Sequence, residues 1–330
     1  MEKIQFTDKT YHTLDSMMIN LQMKYAVSIS NDSAAIFDSF KILYHYTDLN
    51  GLIGIVQNQA LWATNVQFLN DKNEQKYGIE LVKEIAESIK NNQNEKVIEL
   101  IINHVEDRAK LDDYITCFSK NGDLLGQWRA YANNGSGVSI GFNHSQWTSD
   151  LFPRPHGTHV IYDEIYHRCE IKRMLEDFIS FMDGYKEEIE WVTIPYEEVT
   201  AMLIIDNIST YIKSFKHPCF KEEDEYRFIF KENQGIFKEG RDYEIQFRTN
   251  NKMVIPFIKL ENSYQKFDKN LPEDHPKPIT FEEEKRLPIT EIIIGPNLDF
   301  ELVKEGIEIL LNKNGYKNVE IKKSALPYRI

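Results

Sequence analysis

The chain has 330 residues, with 39 lysines and arginines against 52 aspartates and glutamates, which gives a formal net charge of −13. Hydrophobic residues make up 42% of the chain and charged residues 28%, so the chain has apolar surface to bury and is neither disordered nor fibrous. The acidic balance disfavours a protein that coats nucleic acid or anionic lipid, because both ligands require positive charge. The length predicts about two domains, or one large domain with an inserted piece.

No run of residues approaches the ~20 apolar residues that a transmembrane helix needs. The N-terminal residues also lack the apolar core and the cleavage site of a signal peptide. The three cysteines, Cys117, Cys169 and Cys219, are far apart, so neither a disulfide framework nor a CxxC metal site is predicted. We therefore expect a reduced, cytoplasmic protein with no membrane partner.

Hydrophobic periodicity and turn residues predict the elements of the N-terminal half. A helix is expected over residues 10–26, where apolar side chains recur at helical spacing, and a strand over 42–46. Thr47 or Asp48 can cap the next helix by accepting hydrogen bonds from its free backbone N–H groups. The elements predicted in this half are that helix at 49–58, a strand at 60–64, a helical region at 73–110 broken near 91–94, a strand at 115–119, a helix at 124–132 and a strand at 137–142.

The C-terminal half continues with short strands among long helices. Its predicted elements are an extended segment at 160–168, helices at 170–188 and 196–215, a strand at 226–230, two strands within 243–258, a polar linker at 261–288, a strand at 291–294, a helix at 302–314 and a strand at 319–322. This pattern predicts an α+β domain with helical insertions rather than an alternating doubly wound sheet. The sequence contains no GxGxxG, GxxxxGK[ST] or HExxH motif, so dinucleotide-fold and P-loop interpretations have no support.

Six sequence blocks occur in an order that resembles a bacterial family long described only as a domain of unknown function. The blocks are Leu43–Thr47 (LYHYT), Phe68–Asp71 with Glu74, Cys117–Ser119, Gln127–Ala132 (QWRAYA), Gly137–Phe142 and Glu223–Arg227 (EDEYR). The first block resembles the opening motif of ADP-ribosyltransferases, and the last resembles their closing acidic motif. The similarity covers residues 40–230, and the segments Ile292–Pro296 and Pro327–Arg329 form a tail of the same domain.

The resemblance implies an ADP-ribosyltransferase-like split sheet of mixed or antiparallel strands with large helical insertions. It divides the chain into an N-terminal helical extension at 1–35 and the transferase-like domain at 36–260. Insertions are expected at about 73–110 and 163–215. The polar linker and the strand–helix–strand of 261–330 are expected to complete the same domain.

The resemblance also implies that NAD is the substrate and that no metal takes part. Cleavage between nicotinamide and ribose develops positive charge on the ribose, as in glycoside hydrolysis, and a nearby carboxylate stabilises that charge. The resemblance assigns this role to Glu225, the deprotonation of the acceptor to Glu223, and the holding of a ribose hydroxyl to His45. On a strand, residues two apart face the same side, so both acids are expected to enter one cleft.

Further residues are expected to bind the NAD. The transferases carry an aromatic or Ser-Thr-Ser motif between their first and last motifs, and it has no clear counterpart in this chain. Trp128 and Tyr131 are preferred for this role, as aromatic partners of the nicotinamide ring, and Ser119 competes with them. Arg129 and Arg329 suit the pyrophosphate, because guanidinium groups bind phosphate oxygens bidentately. The residues expected at the cofactor are His45, Tyr46, Thr47, Ser119, Trp128, Tyr131, Arg129 and Arg227, the last as a support that pairs with a neighbouring acid.

These residues also have structural interpretations, which the sequence leaves open. His45 lies in an apolar strand and fits a core histidine. Glu225 fits a salt-bridge partner of the arginine that follows it, and Glu222 is a rival acid in the same run. Trp128 and Tyr131 stand three residues apart, a spacing that core packing of a helix also produces.

Four residues carry ligand atoms that suit zinc: His156, His159, His167 and Cys169. Their spacing fits no familiar site, and two prolines predict a loop around the first pair. Surface histidines are the preferred interpretation.

The resemblance thus implies an NAD-dependent mono-ADP-ribosyltransferase, either a bacterial toxin or an anti-phage effector. Its acceptor is a protein or a nucleic acid, and the negative net charge favours a protein. A neutralising or regulatory partner is also expected. The alternatives are an NAD glycohydrolase, with water as acceptor, and a non-catalytic module that senses a nucleotide or a partner.

Overall fold

The computed structural model describes residues 41–69, 72–109, 113–143, 151–152, 156–186, 195–230, 244–249, 252–262 and 286–328. These residues form an α+β architecture, in which an open sheet of mixed strand direction is covered by helices. The predicted helix at 10–26 and most of the predicted linker at 261–288 lie outside the described residues.

The strands of the described residues join in one sheet. They are β1 (Ile42–Thr47), β2 (Ala60–Asn65), β3 (Tyr114–Ser119), β4 (Val138–Asn143), β5 (Leu151–Phe152), β6 (His156–His159), β7 (Glu225–Phe230), β8 (Gln246–Thr249), β9 (Val254–Asn262), β10 (Ile289–Ile294) and β11 (Glu320–Lys323). The helices are α1 (Leu49–Asn58), α2 (Lys72–Ser88), α3 (Glu95–Ala109), α4 (Leu125–Tyr131), α5 (Glu164–Asp183), α6 (Tyr196–Tyr211) and α7 (Phe300–Lys313). Short 3-10 helices lie at Val66–Phe68, Asn133–Gly135, Ile212–Ser214 and Pro218–Glu223.

The sheet splits at β3. One edge of β3 pairs along its whole length with β7. The other edge is shared: Ser119, at the end of β3, is opposite Tyr44 of β1, and the first two residues of β3 are opposite Thr64 and Asn65 of β2. Because β1 and β2 both run antiparallel to β3 on this edge, they separate between these two points. One branch continues from β1 through β4 and β10 to β11, and the other continues from β2 to β9.

One face of the sheet, here called the core face, packs against α1 and α7. Full burial of a large apolar side chain contributes roughly 1.5–3 kcal/mol, so this layer is a major source of stability. Its buried members include Leu43, Leu52, Val56, Phe118, Ile140, Phe142, Phe228, Ile258, Leu260, Ile292, Ile307 and Leu311.

The opposite face carries Cys117, Ser119, Glu225 and Arg227 and is here called the site face. This follows from the register, because Ser119 pairs with Glu225 and Cys117 pairs with Arg227. A separate helical layer is built from α2, α3, α5 and α6, the segments predicted as insertions. Its core includes Val82, Ile85, Ile98, Ile101, Val105, Ile171, Leu175, Phe178, Ile204 and Ile208.

Most predicted elements are confirmed, with ends that differ by a few residues. The helical region at 73–110 is interrupted between α2 and α3, where the side chain of Asn94 accepts a hydrogen bond from the backbone of Asn91 at 2.8 Å. Such side-chain acceptors compete with helical bonding.

Two expectations for residues 156–168 are wrong. The extended segment at 160–168 stops before Glu164, where α5 begins, because the Asp163 carboxylate caps the helix by accepting from Tyr166 N at 3.0 Å. The predicted loop around His156 and His159 is a strand, β6, which pairs with β7.

Asp48 rather than Thr47 caps α1, since its Oδ1 accepts from Gly51 N at 2.7 Å. Replacing Asp48 with Ala should lower the free energy of unfolding by about 1 kcal/mol, because a terminal N–H loses its acceptor. Asp48→Asn keeps an acceptor oxygen and should cost much less. Urea denaturation of both variants measures the difference; equal losses would contradict the capping role.

Candidate functional site

The first residue of β7, Glu225, carries a buried carboxylate held between two cations. Arg227 donates from Nε to Oε1 and from Nη2 to Oε2, both at 2.9 Å, and Lys216 Nζ donates to Oε2 at 3.1 Å. Glu225 is only 5% exposed. A buried charge requires this degree of pairing, because removal from water without partners costs several kcal/mol.

Strand alternation explains why the acid and the arginine meet. Glu225 and Arg227 are two residues apart in β7, so both side chains lie on the site face, whereas Tyr226 and Phe228 between and after them pack in the core. The bidentate arginine–carboxylate contact fixes the orientation of the carboxylate as well as its charge.

Lys216 reaches the site from the segment that follows α6. This segment pairs with Ile161 through backbone bonds: Ile161 N donates to Ser214 O at 2.7 Å, and Lys216 N donates to Ile161 O at 3.0 Å. Lys213 enters from the same segment and pairs with Asp113, and its carbonyl accepts from Arg227 Nη1 at 2.7 Å. Both lysines are buried, so the helical layer is tied to the sheet at this point.

Glu223 also binds Lys216, so both acids of the predicted pair meet one ammonium group. The expectation that they lie on one strand is wrong. Glu223 ends a 3-10 helix and Glu225 begins β7, with Asp224 between them in the left-handed conformation (φ 43°). That turn, rather than strand periodicity, accounts for their convergence.

The ion network sets the charge of Glu225. Burial alone would raise its pKa, but Arg227 and Lys216 outweigh this effect and hold the pKa at about 2. The hydrogen bond from Cys117 acts in the same direction. The carboxylate is therefore ionised at neutral pH.

Ser119 and two tyrosines surround this carboxylate. Ser119 lies opposite Glu225 in the sheet, and its Oγ donates to Glu223 O at 3.1 Å. Tyr162 OH accepts from Glu225 N at 3.0 Å. Tyr131 is 39% exposed, and burial together with the charge of Glu223 raises its pKa. Tyr131 thus has ring surface open to solvent beside the acids.

The other expected aromatic residues are part of a small core. Tyr46 and Trp128 are buried, and their rings meet edge to face at 5.0 Å. Tyr46 OH donates to Asn121 O at 2.9 Å, and Trp128 Nε1 donates to Asp123 Oδ1 at 2.7 Å. Because Trp128 is fully buried, it offers no exposed face for stacking.

The remaining expected cofactor residues lie around this core. Thr47 is half-buried at the end of β1. Arg129 is exposed, with its guanidinium carbon 5.2 Å from the centre of the Tyr328 ring. Arg329 and the two polar residues that end the Phe68–Asp71 block lie outside the described residues.

His45 occupies the split of the sheet. The strand register places it level with Ile140 on the core face, and its ring meets Phe118 at 5.9 Å. His45 Nδ1 lies 3.1 Å from Cys117 O. Since a carbonyl oxygen can only accept, Nδ1 carries the proton. His45 and Glu225 therefore both contact residue 117, the first through its carbonyl group and the second through its thiol.

Burial lowers the pKa of His45, and the charge of Arg248 lowers it further, against the effect of the Cys117 carbonyl. The imidazole is therefore neutral at neutral pH. Its Nε2 makes no hydrogen bond within the described part of the chain, so this nitrogen is available as an acceptor.

Sequence reasoning missed Lys216, Lys213, Tyr162 and Cys117 as parts of this site. A usable signal was present for the lysines, because they stand three residues apart in an otherwise apolar segment at the end of a helix. Long cations in such a segment require buried partners. The sequence carries no comparable signal for Tyr162, whose role depends on the path of the chain before α5.

His167, one of the histidines weighed as zinc ligands, makes other contacts. His167 stacks on Phe215 at 4.0 Å, with Nδ1 2.9 Å from Tyr77 OH and Nε2 2.8 Å from Ile161 O, and Cys169 is exposed. Among the residues that the structure describes, no three His, Cys, Asp or Glu side chains are grouped to hold a metal ion. In the same ranges, no helix has the length and apolarity needed to cross a bilayer.

Comparison with known proteins locates a family within the chain. Residues 127–228 match the family described as protein of unknown function, DUF2971. This domain contains Trp128, Tyr131, Glu223 and Glu225, whereas His45 lies before it. The match agrees with the expectation of an uncharacterised family. No curated protein and no solved structure matches the chain.

The depressed pKa of Glu225 predicts a loss of stability in acid. Because its pKa is near 4.3 in an unfolded chain and about 2 in the fold, its stabilisation is present above about pH 5 and is lost as the pH falls towards 2. Glu225→Gln should be less stable at neutral pH, since two cations lose a counterion, and its stability should depend less on pH over this range. Urea unfolding as a function of pH measures both effects.

Glu222→Gln is the charge-matched control for this experiment, because Glu222 is exposed and adjacent in sequence to the network. A pH dependence that is the same in the Glu225 variant and the wild type would show that this carboxylate does not titrate as the geometry requires.

Proposed function

We propose that the protein is an NAD-dependent mono-ADP-ribosyltransferase. The observation that carries the proposal is the placement of Glu225: an ionised carboxylate on a central strand, opposite Ser119 and beside the partly exposed ring of Tyr131. A fixed carboxylate of this kind suits the stabilisation of positive charge that develops on a ribose.

The topology of the sheet also supports the proposal. The motif-bearing strands β1, β3 and β7 are neighbours, and the sheet splits beside β3, as the resemblance to ADP-ribosyltransferases implies. These features support the proposal that the fold belongs to that class. The domain of unknown function covers the strand that carries Glu225 but not the strand that carries His45.

The proposed roles follow from the contacts. Glu225 stabilises the ribose cation when the bond to nicotinamide breaks, and Arg227 and Lys216 fix the carboxylate in position. Tyr131 stacks on the nicotinamide ring in place of the buried Trp128. In this proposal a ribose hydroxyl reaches neutral His45, which lies on the core face opposite Glu225, through the split of the sheet and donates to its Nε2.

Glu223 is the proposed base for the acceptor. Its carboxylate is more exposed than that of Glu225 and shares Lys216 with it, so it can reach an acceptor group at the edge of the network. With water in place of a macromolecular acceptor, the same site would be an NAD glycohydrolase.

One observation favours a second candidate, a non-catalytic module that senses a nucleotide. Both carboxylate oxygens of Glu225 are already engaged, one by Arg227 and the other by Arg227 and Lys216. A purely structural acid would have the same contacts. In this alternative, the nucleotide binds and is not cleaved.

The proposal includes a role as a toxin or anti-phage effector that acts on a protein or nucleic acid. The helical layer of α2, α3, α5 and α6 supplies surface for an acceptor or for a neutralising partner, beyond what the sheet requires. The net charge of −13 favours a protein acceptor.

The central test is release of nicotinamide from NAD by the purified protein. Glu225→Gln should abolish release, since a neutral amide cannot stabilise the ribose cation, while Glu222→Gln should retain it. Circular dichroism establishes that each variant is folded, and chromatography quantifies nicotinamide. Undiminished release by folded Glu225→Gln would move the catalytic acid elsewhere; NAD binding without release in the wild type would favour the sensing module.

Glu223→Gln should separate transfer from cleavage. We expect this variant to lose transfer to an acceptor more than it loses nicotinamide release, because the base acts on the acceptor. Incubation with labelled NAD and cell lysate, followed by protease or nuclease, measures transfer and identifies the acceptor class. Equal losses of the two activities would contradict a separate role for Glu223.

A further inference from the structure

Arg248, on β8, is an exposed cation that contacts a threonine and a tryptophan. Its Nη2 donates to Thr64 Oγ1 at 3.0 Å, and its guanidinium carbon lies 5.7 Å from the ring centre of Trp62. Among the residues that the structure describes, no carboxylate pairs with it. Four other arginines of the described residues bind carboxylates: Arg108, Arg168, Arg173 and Arg227.

The surroundings of Arg248 hold its guanidinium in a defined place. Trp62 packs against Phe257 with ring centres 4.4 Å apart, which fixes the indole, and Thr64 lies on the same strand, β2. Trp62 is 40% exposed. Desolvation lowers the pKa of Arg248, yet an arginine stays protonated at neutral pH. Arg248 is itself exposed, so an anion can reach its guanidinium from solvent.

Arg248 also lies at the split of the sheet. It belongs to the branch of β2, β9 and β8, whereas His45 belongs to the branch of β1. Arg248 donates to Thr64, which is opposite Ile115 of β3, and His45 contacts the carbonyl group of Cys117, two residues further along the same strand. An anion bound to Arg248 would thus stand beside the residue proposed to hold a ribose.

We propose that Arg248 and Thr64, supported by Trp62, bind a phosphate group of a nucleotide at the split of the sheet. Arginine is suited to this ligand, because its planar fork donates two parallel hydrogen bonds to phosphate oxygens. The threonine hydroxyl supplies a further donor, and the indole holds the guanidinium from one side. The inference deepens the proposed function and rests on it for the identification of the nucleotide as NAD.

The test is calorimetric binding of ADP, which carries the phosphates but cannot release nicotinamide. Arg248→Met should weaken ADP binding about tenfold or more, since a charge-assisted bidentate contact is lost. Arg248→Lys keeps the charge without the fork and should give an intermediate affinity. Lys317→Met is the charge-matched control, because Lys317 is exposed and precedes β11, at the opposite edge of the sheet. This variant should bind ADP with the same affinity as the wild type.

A second measurement does not depend on the Arg248 variants. In the wild type, ADP should raise the pKa of His45, followed by NMR, because an anion placed at the split offsets the charge of Arg248. An unchanged His45 titration under saturating ADP would overturn the proposed location.

The remaining outcomes are distinct from those of the proposed function. Equal ADP affinity in Arg248→Met and wild type, or no ADP binding by the wild type, would overturn the phosphate site even if nicotinamide is released. Inorganic pyrophosphate bound as tightly as ADP would overturn the nucleotide assignment. Loss of ADP binding in Arg248→Met, together with no nicotinamide release by the wild type, supports the site and overturns only the transferase.

Discussion

The buried ion network around Glu225 is the constraint on which the rest of the site depends. Two carboxylates and two cations are removed from water at the start of β7, and each has a partner of opposite charge. Such a network adds little to stability compared with an apolar cluster of the same size. Its contribution is positional, because it determines where a charged oxygen stands in an otherwise apolar sheet.

This constraint explains the division of the sheet into two faces. Apolar side chains alternate with polar ones along β3 and β7, so one face becomes a packed core and the other collects the charges. Because the sheet splits beside β3, the Cys117 carbonyl accepts its hydrogen bond from a side chain, that of His45. The hydrogen bond to the Cys117 carbonyl thus holds His45 at the residue whose thiol contacts Glu225, although the side chains of His45 and Glu225 lie on different faces of the sheet.

The sequence predicted the helices and strands well, but it predicted the tertiary contacts between their side chains less well. Strands such as β1 and β7 carry strong β-forming patterns, and Asp48 marks the start of α1, so local rules were sufficient there. The convergence of Glu223 and Glu225 was expected for the wrong reason, because a single left-handed residue between them has no clear sequence signal. Lys216 precedes β7 and Arg248 is 184 residues from Thr64, and only tertiary pairing shows what each side chain approaches.

The short segment after α6 links two parts of the molecule that have separate cores. Its buried Lys213 and Lys216 contact Asp113 and Glu225. A macromolecule that binds α6 and shifts it therefore also shifts the ammonium beside the acid. By thermodynamic linkage, the protonation state of that acid would then alter the affinity for such a macromolecule by the same factor, so binding at the helices and ionisation at the strand would form one coupled equilibrium.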